Sequence, residues 1–411
     1  MKLLKVDTVD SAREKLRTVL CDAESKTMVK NLHQALGCYL SKDIYALEPV
    51  PTFRRSTVDG YAVKADQTGG ASESLPVFLK LIGEVNMGDP ALEKLQSGQC
   101  IYVPTGGMIP DGADAMIMVE YCEPFSQDQI AMYTSVAAGT GVVEIGEDMK
   151  KGQLVLPKGT LLRPQEIGAL AALGETEVAV FAPWKITIIS TGDELIPPAE
   201  VPRNGQVRDI NTYGIQAQAE KYHMDIINCF VLKDEPMQLK EKVQHALNSS
   251  DVVVISGGSS QGKKDATHQV IDEVASEGAF THGLALKPGK PTILGYDKPT
   301  NTILAGLPGH PAAAMLVFEL LIGWLFKERT GARIEPTVRG YLSINLPGAP
   351  GRRTCQLVQL KKRADGKQEV VPVFGKSGMI SILTRADGYI LIEENQEGLQ
   401  KGEEVEVFLI S

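Results

Sequence analysis

Three short apolar runs each end in a glycine-punctuated turn, and together they confine this chain to few folds. They are Ile188-Ile189-Ser190-Thr191-Gly192-Asp193-Glu194-Leu195, Val253-Val254-Ile255-Ser256-Gly257-Gly258-Ser259-Ser260-Gln261-Gly262-Lys263-Lys264-Asp265, and Ile303-Leu304-Ala305-Gly306-Leu307-Pro308-Gly309-His310-Pro311. Runs of that length and β-branching read as buried parallel strands. In an open α/β sheet the turns at the carboxyl ends of such strands line the ligand crevice. Glycine there lets backbone N–H groups approach an anion with no Cβ in the way. The expectation is a pocket for a phosphorylated ligand with carboxylates set around it.

Around these turns the pattern alternates. Strands at 185–190, 226–232, 251–256 and 301–305 are followed by helical segments at 211–222, 236–248, 265–277 and 311–328. That order predicts a parallel sheet with crossover helices over 178–332. Residues 47–144 break into short β-like pieces punctuated by Gly and Pro and read as a mostly β insertion. Residues 1–46 and 145–177 form an αβ connector, in which 10–37 carries apolar positions at helical spacing up to Gly37 and Pro164 opens a second helix. Residues 333–411 are β-like throughout and fit a small barrel or sandwich. The fold class is a multidomain α/β plus β protein.

At 411 residues the chain exceeds one typical core. Its net charge of −9 argues against a nucleic-acid binder. The cations near the turns (Arg208, Lys263, Lys264, Lys287, Lys290) are therefore a local feature suited to a small anion. Six scattered cysteines without a Cys-x-x-Cys pair, no signal peptide and no membrane-length apolar run point to a reduced, soluble cytoplasmic protein.

The 257–264 loop nearly spells a phosphate-binding P-loop, but Lys264 stands where a Ser or Thr hydroxyl would ligate Mg²⁺. Asp265 read alone is a helix N-cap, and the glycines before it are a tight turn. Repetition of strand-to-glycine turns in one domain raises the functional reading above that structural one. Lys287-Pro288-Gly289-Lys290-Pro291 holds two cations in a stiff segment able to grip an oxyanion. Ser56–Ala62 and Pro104–Asp114 are dense in turn formers with exposed acids, and each alone reads as turn chemistry.

Together and in order, Ser56–Ala62, Pro104–Glu120, Gly146-Glu147-Asp148, Ser190–Leu195, Ser256–Asp265, Lys287–Pro291, Gly306–Pro311 and Gly375–Leu391 resemble the molybdopterin molybdenumtransferases. The resemblance implies molybdenum insertion into adenylylated molybdopterin, with molybdate as co-substrate, Mg²⁺ as cofactor and AMP released. It implies a central molybdopterin-binding α/β domain and a homodimer whose site is shared between subunits. The adenylyltransferase of the preceding step is then a conceivable partner. By the same resemblance Asp59, Thr105, Glu194 and Asp265 are catalytic, and Asp148, Glu194, Asp234 and Asp265 form the acidic metal shell. Gly257, Gly258, Ser259, Pro308 and Pro311 shape the pterin and phosphate pocket, Lys287 and Lys290 hold molybdate, and Ser377 and Ser381 are further binding candidates from the C-terminal domain. His310 departs from the Asn usual in the family's Gly-Leu-Pro-Gly-Asn-Pro motif, and Val58 replaces the usual Met. Two other readings remain open from sequence: an adenylyltransferase-like nucleotide-processing enzyme, and a non-catalytic molybdopterin-binding scaffold.

Overall fold

A computed structural model describes residues 6–257, 266–332 and 337–410. Its centre is a six-stranded sheet in the order Asp225–Leu232, Lys185–Thr191, Val252–Ser256, Thr302–Leu307, Ile293–Asp297, Ala279–His282. The first four strands run parallel, as the alternation predicts. The last two were not foreseen and pair antiparallel, so the sheet is mixed at one edge. Period-two alternation splits the central strands between two cores. Ile186, Ile188, Val252 and Val254 face the helices Asn211–Lys221 and Pro311–Val317. Ile189, Val253, Ile255 and Leu304 face Pro236–Leu247 and Ala266–Val274. Burial on both faces is what keeps these runs almost wholly apolar.

Register decides where the turns emerge. Ser190 pairs with Ser256 and Ser256 with Leu307, so Gly192, Gly257 and Pro308 leave the sheet at nearly one level of its carboxyl edge. The helix expected over 311–328 runs from Pro311 to Thr330, with a wider turn at Phe318–Gly323.

The N-terminal segment departs from its helical spacing. A helix spans Val9–Val19, but Thr27–Asn31 is a strand antiparallel to Glu177–Phe181. The polar stretch 21–26 lets the helix stop, and Glu177–Phe181 supplies a hydrogen-bonded ladder that local periodicity does not reveal. The second connector helix, Pro164–Ala172, forms where Pro164 predicts it.

The insertion is a six-stranded sheet ordered Ala115–Met118, Gly60–Val63, Gln99–Val103, Val77–Glu84, Gln129–Met132, Cys122–Pro124. In the C-terminal region Arg353–Lys362 pairs with both Gln368–Pro372 and Gly388–Ile392. Thr337–Leu342 and Glu404–Leu409 complete the circuit, closing a five-stranded barrel. Leu286–Lys287, from the central region, adds in parallel to Arg353-Thr354 at the barrel's edge. That pairing joins the Lys287 segment to the barrel.

Candidate active site

Between the carboxyl edge of the central sheet and the barrel lies a cavity of about 1160 Å³. Glu194 reaches it from the turn after Lys185–Thr191, and Asp234 from the turn after the neighbouring Asp225–Leu232. Gly257, Lys287, Lys290, Pro308, Pro311 and Ser377 line the same cavity. Cations, carboxylates and glycine turns that are far apart in sequence are thus brought to one place.

Backbone geometry explains Gly257. Its φ is +109°, and an added Cβ would lie 2.2 Å from the Thr191 carbonyl oxygen, inside the adjacent strand's turn. Gly257→Ala is therefore expected to cost about 1–3 kcal/mol of stability, read as a lower thermal midpoint. An unchanged midpoint would mean that this turn relaxes freely.

Polar contacts fix the turns to one another. The Asn211 amide donates to Ser256 Oγ at 2.6 Å and to the Gly309 carbonyl at 2.9 Å. Asp209, only 3% exposed, accepts from the Thr212 backbone N–H through Oδ1. Asp209 Oδ2, Asn211 Oδ1 and Thr354 Oγ1 are buried, line residues of the cavity, and make no hydrogen bond among the described residues. Polar atoms left without partners in a cavity wall are costly unless a small shift admits a ligand or water to them. Nothing in the sequence singles out Asp209 and Asn211. Their one signal is that they flank the start of the helix Asn211–Lys221, which reads equally well as a cap.

Electrostatics mark the acidic end. Partial burial raises the Asp234 carboxyl above its ordinary range, and the negative charges of Asp193 and Glu194 raise it further. The Asp234 backbone N–H bonds Asp193 Oδ1 at 3.3 Å, which keeps these turns together. Among the described residues no three His, Cys, Asp or Glu side chains form a group able to hold a metal.

Gly258, Ser259 and Asp265 fall outside the described residues. Asp59 and Thr105 come together, with the Thr105 backbone N–H donating to Asp59 Oδ1 at 2.7 Å, but both are exposed and neither lines the cavity. They meet because Gly60–Val63 pairs with Gln99–Val103, which places the ends of the two strands side by side. Asp148 is exposed beside Val50, to whose carbonyl its N–H donates. Ser381 is exposed and opens the short helix Ser381–Thr384, whose buried Ile382 lines the cavity.

Among the described residues no helix is long and apolar enough to cross a membrane. All six cysteines are free.

A mixed α/β sheet that gathers glycine turns, acids and lysines beneath a closed barrel defines a multidomain α/β protein with a charged ligand cavity, and the comparisons with known proteins say which. Residues 7–174 match the MoeA N-terminal region (domains I and II), 187–327 a probable molybdopterin binding domain, and 339–410 the MoeA C-terminal region (domain IV). A putative molybdopterin biosynthesis protein of Methanocaldococcus jannaschii is 34% identical over 97% of this chain and 95% of its own length. The molybdopterin molybdenumtransferase of Haemophilus influenzae is 31% identical over 97% of this chain and 98% of its own. The crystal structure of the MoeA protein from Pyrococcus horikoshii OT3 superposes with a TM-score of 0.81 at 32% identity, covering 99% of this chain and 100% of that one. The chain belongs to the molybdopterin molybdenumtransferase family, whose members insert molybdenum into molybdopterin.

Proposed function

We propose that this chain takes adenylylated molybdopterin and molybdate, inserts the metal into the dithiolene and releases AMP. One observation carries the reading: Glu194 and Asp234 share a single cavity with Lys287, Lys290 and the Gly257 and Pro308 turns. Breaking a phosphoanhydride while joining an oxyanion to a dithiolene needs both signs of charge in one enclosure.

In this reading the Gly257 and Pro308 turns, with Gly258, Ser259 and Pro311, receive the pterin and phosphates. Asp209 and Asn211 offer acceptors to its N–H groups. Lys287, Lys290 and Ser377 hold molybdate close to the sulfurs, with Ser381 behind them. Glu194 and Asp234, together with Asp265, would hold Mg²⁺, which supplies neutralisation of the leaving phosphate's charge. The exposed Asp59–Thr105 pair and Asp148 are assigned to the cavity of a second copy, making the working unit a homodimer with shared sites. The substrate arrives from the adenylyltransferase of the preceding step, and six free cysteines accord with a reducing cytoplasm.

The direct test is AMP release from adenylylated molybdopterin with and without molybdate. Release that is strong and molybdate-dependent supports the proposal, and its absence in folded protein refutes it. The lysine assignment makes a narrower claim. Lys287→Ala or Lys290→Ala should raise the molybdate concentration for half-maximal rate by roughly tenfold, as loss of one charged hydrogen bond would. Binding of the adenylylated pterin should change little. Equal loss of both affinities would place the lysines on the phosphates instead.

A further inference from the structure

His310 and Ser377 bridge the cavity from two different parts of the fold. His310 lies in the turn after the central Thr302–Leu307 strand, and Ser377 follows the barrel strand Gln368–Pro372. His310 Nδ1 stands 2.8 Å from Ser377 Oγ, and both residues line the cavity. A second bond holds the same serine: the Ala312 backbone N–H, in the first turn of the Pro311–Val317 helix, donates to the Ser377 carbonyl at 3.1 Å. The backbone bond places the loop, and the imidazole's hydrogen bond goes to the hydroxyl.

That division has a chemical consequence. A serine hydroxyl has one proton and two acceptor lone pairs. If Nδ1 accepts that proton, the hydroxyl presents only lone pairs to the cavity, and an anion is repelled. When Nδ1 carries hydrogen and donates to Oγ, the hydroxyl proton is free for an anionic oxygen. We infer that His310 is a positioning residue, which by donating through Nδ1 aims the Ser377 hydroxyl as a donor at a bound tetrahedral oxyanion. This rests on the assignment of Ser377 to molybdate made above.

Side-chain geometry supplies the test. An Asn amide places its nitrogen where the imidazole has Nδ1, whereas a Gln amide reaches the position of Nε2. His310→Ala should raise the molybdate half-saturation roughly tenfold, the size of one hydrogen bond to a charged group. Turnover at saturating molybdate and affinity for the adenylylated pterin should stay within about twofold of the starting protein, because the Ala312–Ser377 bond remains. His310→Asn should restore the half-saturation, and His310→Gln should not. In a double-mutant cycle, His310→Ala should add little once Ser377→Ala is present. Three results overturn the inference: an unchanged half-saturation in His310→Ala, equal rescue by Asn and Gln, or full additivity with Ser377→Ala. If Ser377→Ala alone leaves the half-saturation unchanged, the Ser377 assignment itself falls. If only the histidine variants are silent, that assignment stands and the positioning role fails.

Discussion

Glu194→Ala is expected to fold normally and lose molybdate-dependent AMP release by about 10²–10³-fold, the usual penalty for removing one preorganised charge-stabilising group. Glu194 is exposed, and such surface substitutions normally alter stability by within about 0.5 kcal/mol. Its loss should therefore appear in turnover and leave the thermal midpoint where it was. Asp265→Ala should behave alike if it completes the cation site. The Asp234 carboxyl reports on the same site independently. Burial raises it first, then Asp193, then Glu194. Glu194→Gln removes one raising charge, so Asp234 should stay ionised to lower pH. Titration of Asp234 by carboxyl-resolved NMR should show that downward movement, because a carboxylate that loses a negative neighbour holds its proton less tightly. Wild-type turnover in both Glu194→Ala and Asp265→Ala would sink the cation assignment. An Asp234 titration that does not move would separate the two turns electrostatically.

The central domain was legible because its signals are local. Ile188–Gly192 and Val253–Gly257 combine a β-branched run with a glycine just past the strand, and Ile303–Leu307 is an apolar strand whose glycine precedes the turn at Pro308. That these turns meet follows from the parallel register of Ser190, Ser256 and Leu307, which alternation alone implies for neighbouring strands. Thr27–Asn31 was illegible because its partner, Glu177–Phe181, lies nearly 150 residues away. Barrel closure likewise depends on Arg353–Lys362 pairing on both its edges, which a list of short strands does not specify. Among the cavity-lining residues, Glu194, Lys287 and Lys290 announced themselves by unusual turn chemistry. Asp209 did not, since its distinguishing property is a buried oxygen without a partner among the described residues, and burial is a property of the folded chain.

Mixing two inactive proteins should restore activity. Asp59 and Thr105 are hydrogen-bonded to each other, exposed, and away from the cavity that Glu194 and Asp234 line. If all four serve one reaction, two copies must meet, with the insertion of one reaching the cavity of the other. An Asp59→Asn homodimer then has both sites impaired in the same part, and a Glu194→Gln homodimer has both impaired in the other. In a heterodimer the defects segregate: one site receives both substitutions and its twin receives neither. Random exchange makes about half the dimers mixed, so about a quarter of all sites should be fully native. Activity of the exchanged mixture should approach that fraction of wild type, while either protein alone stays near background. Exchange must be verified separately, for example by mass-tagged subunits. Mixed dimers that form without regained turnover would show that Asp59 and Glu194 do not serve a shared site. A monomer at working concentration would exclude the arrangement outright.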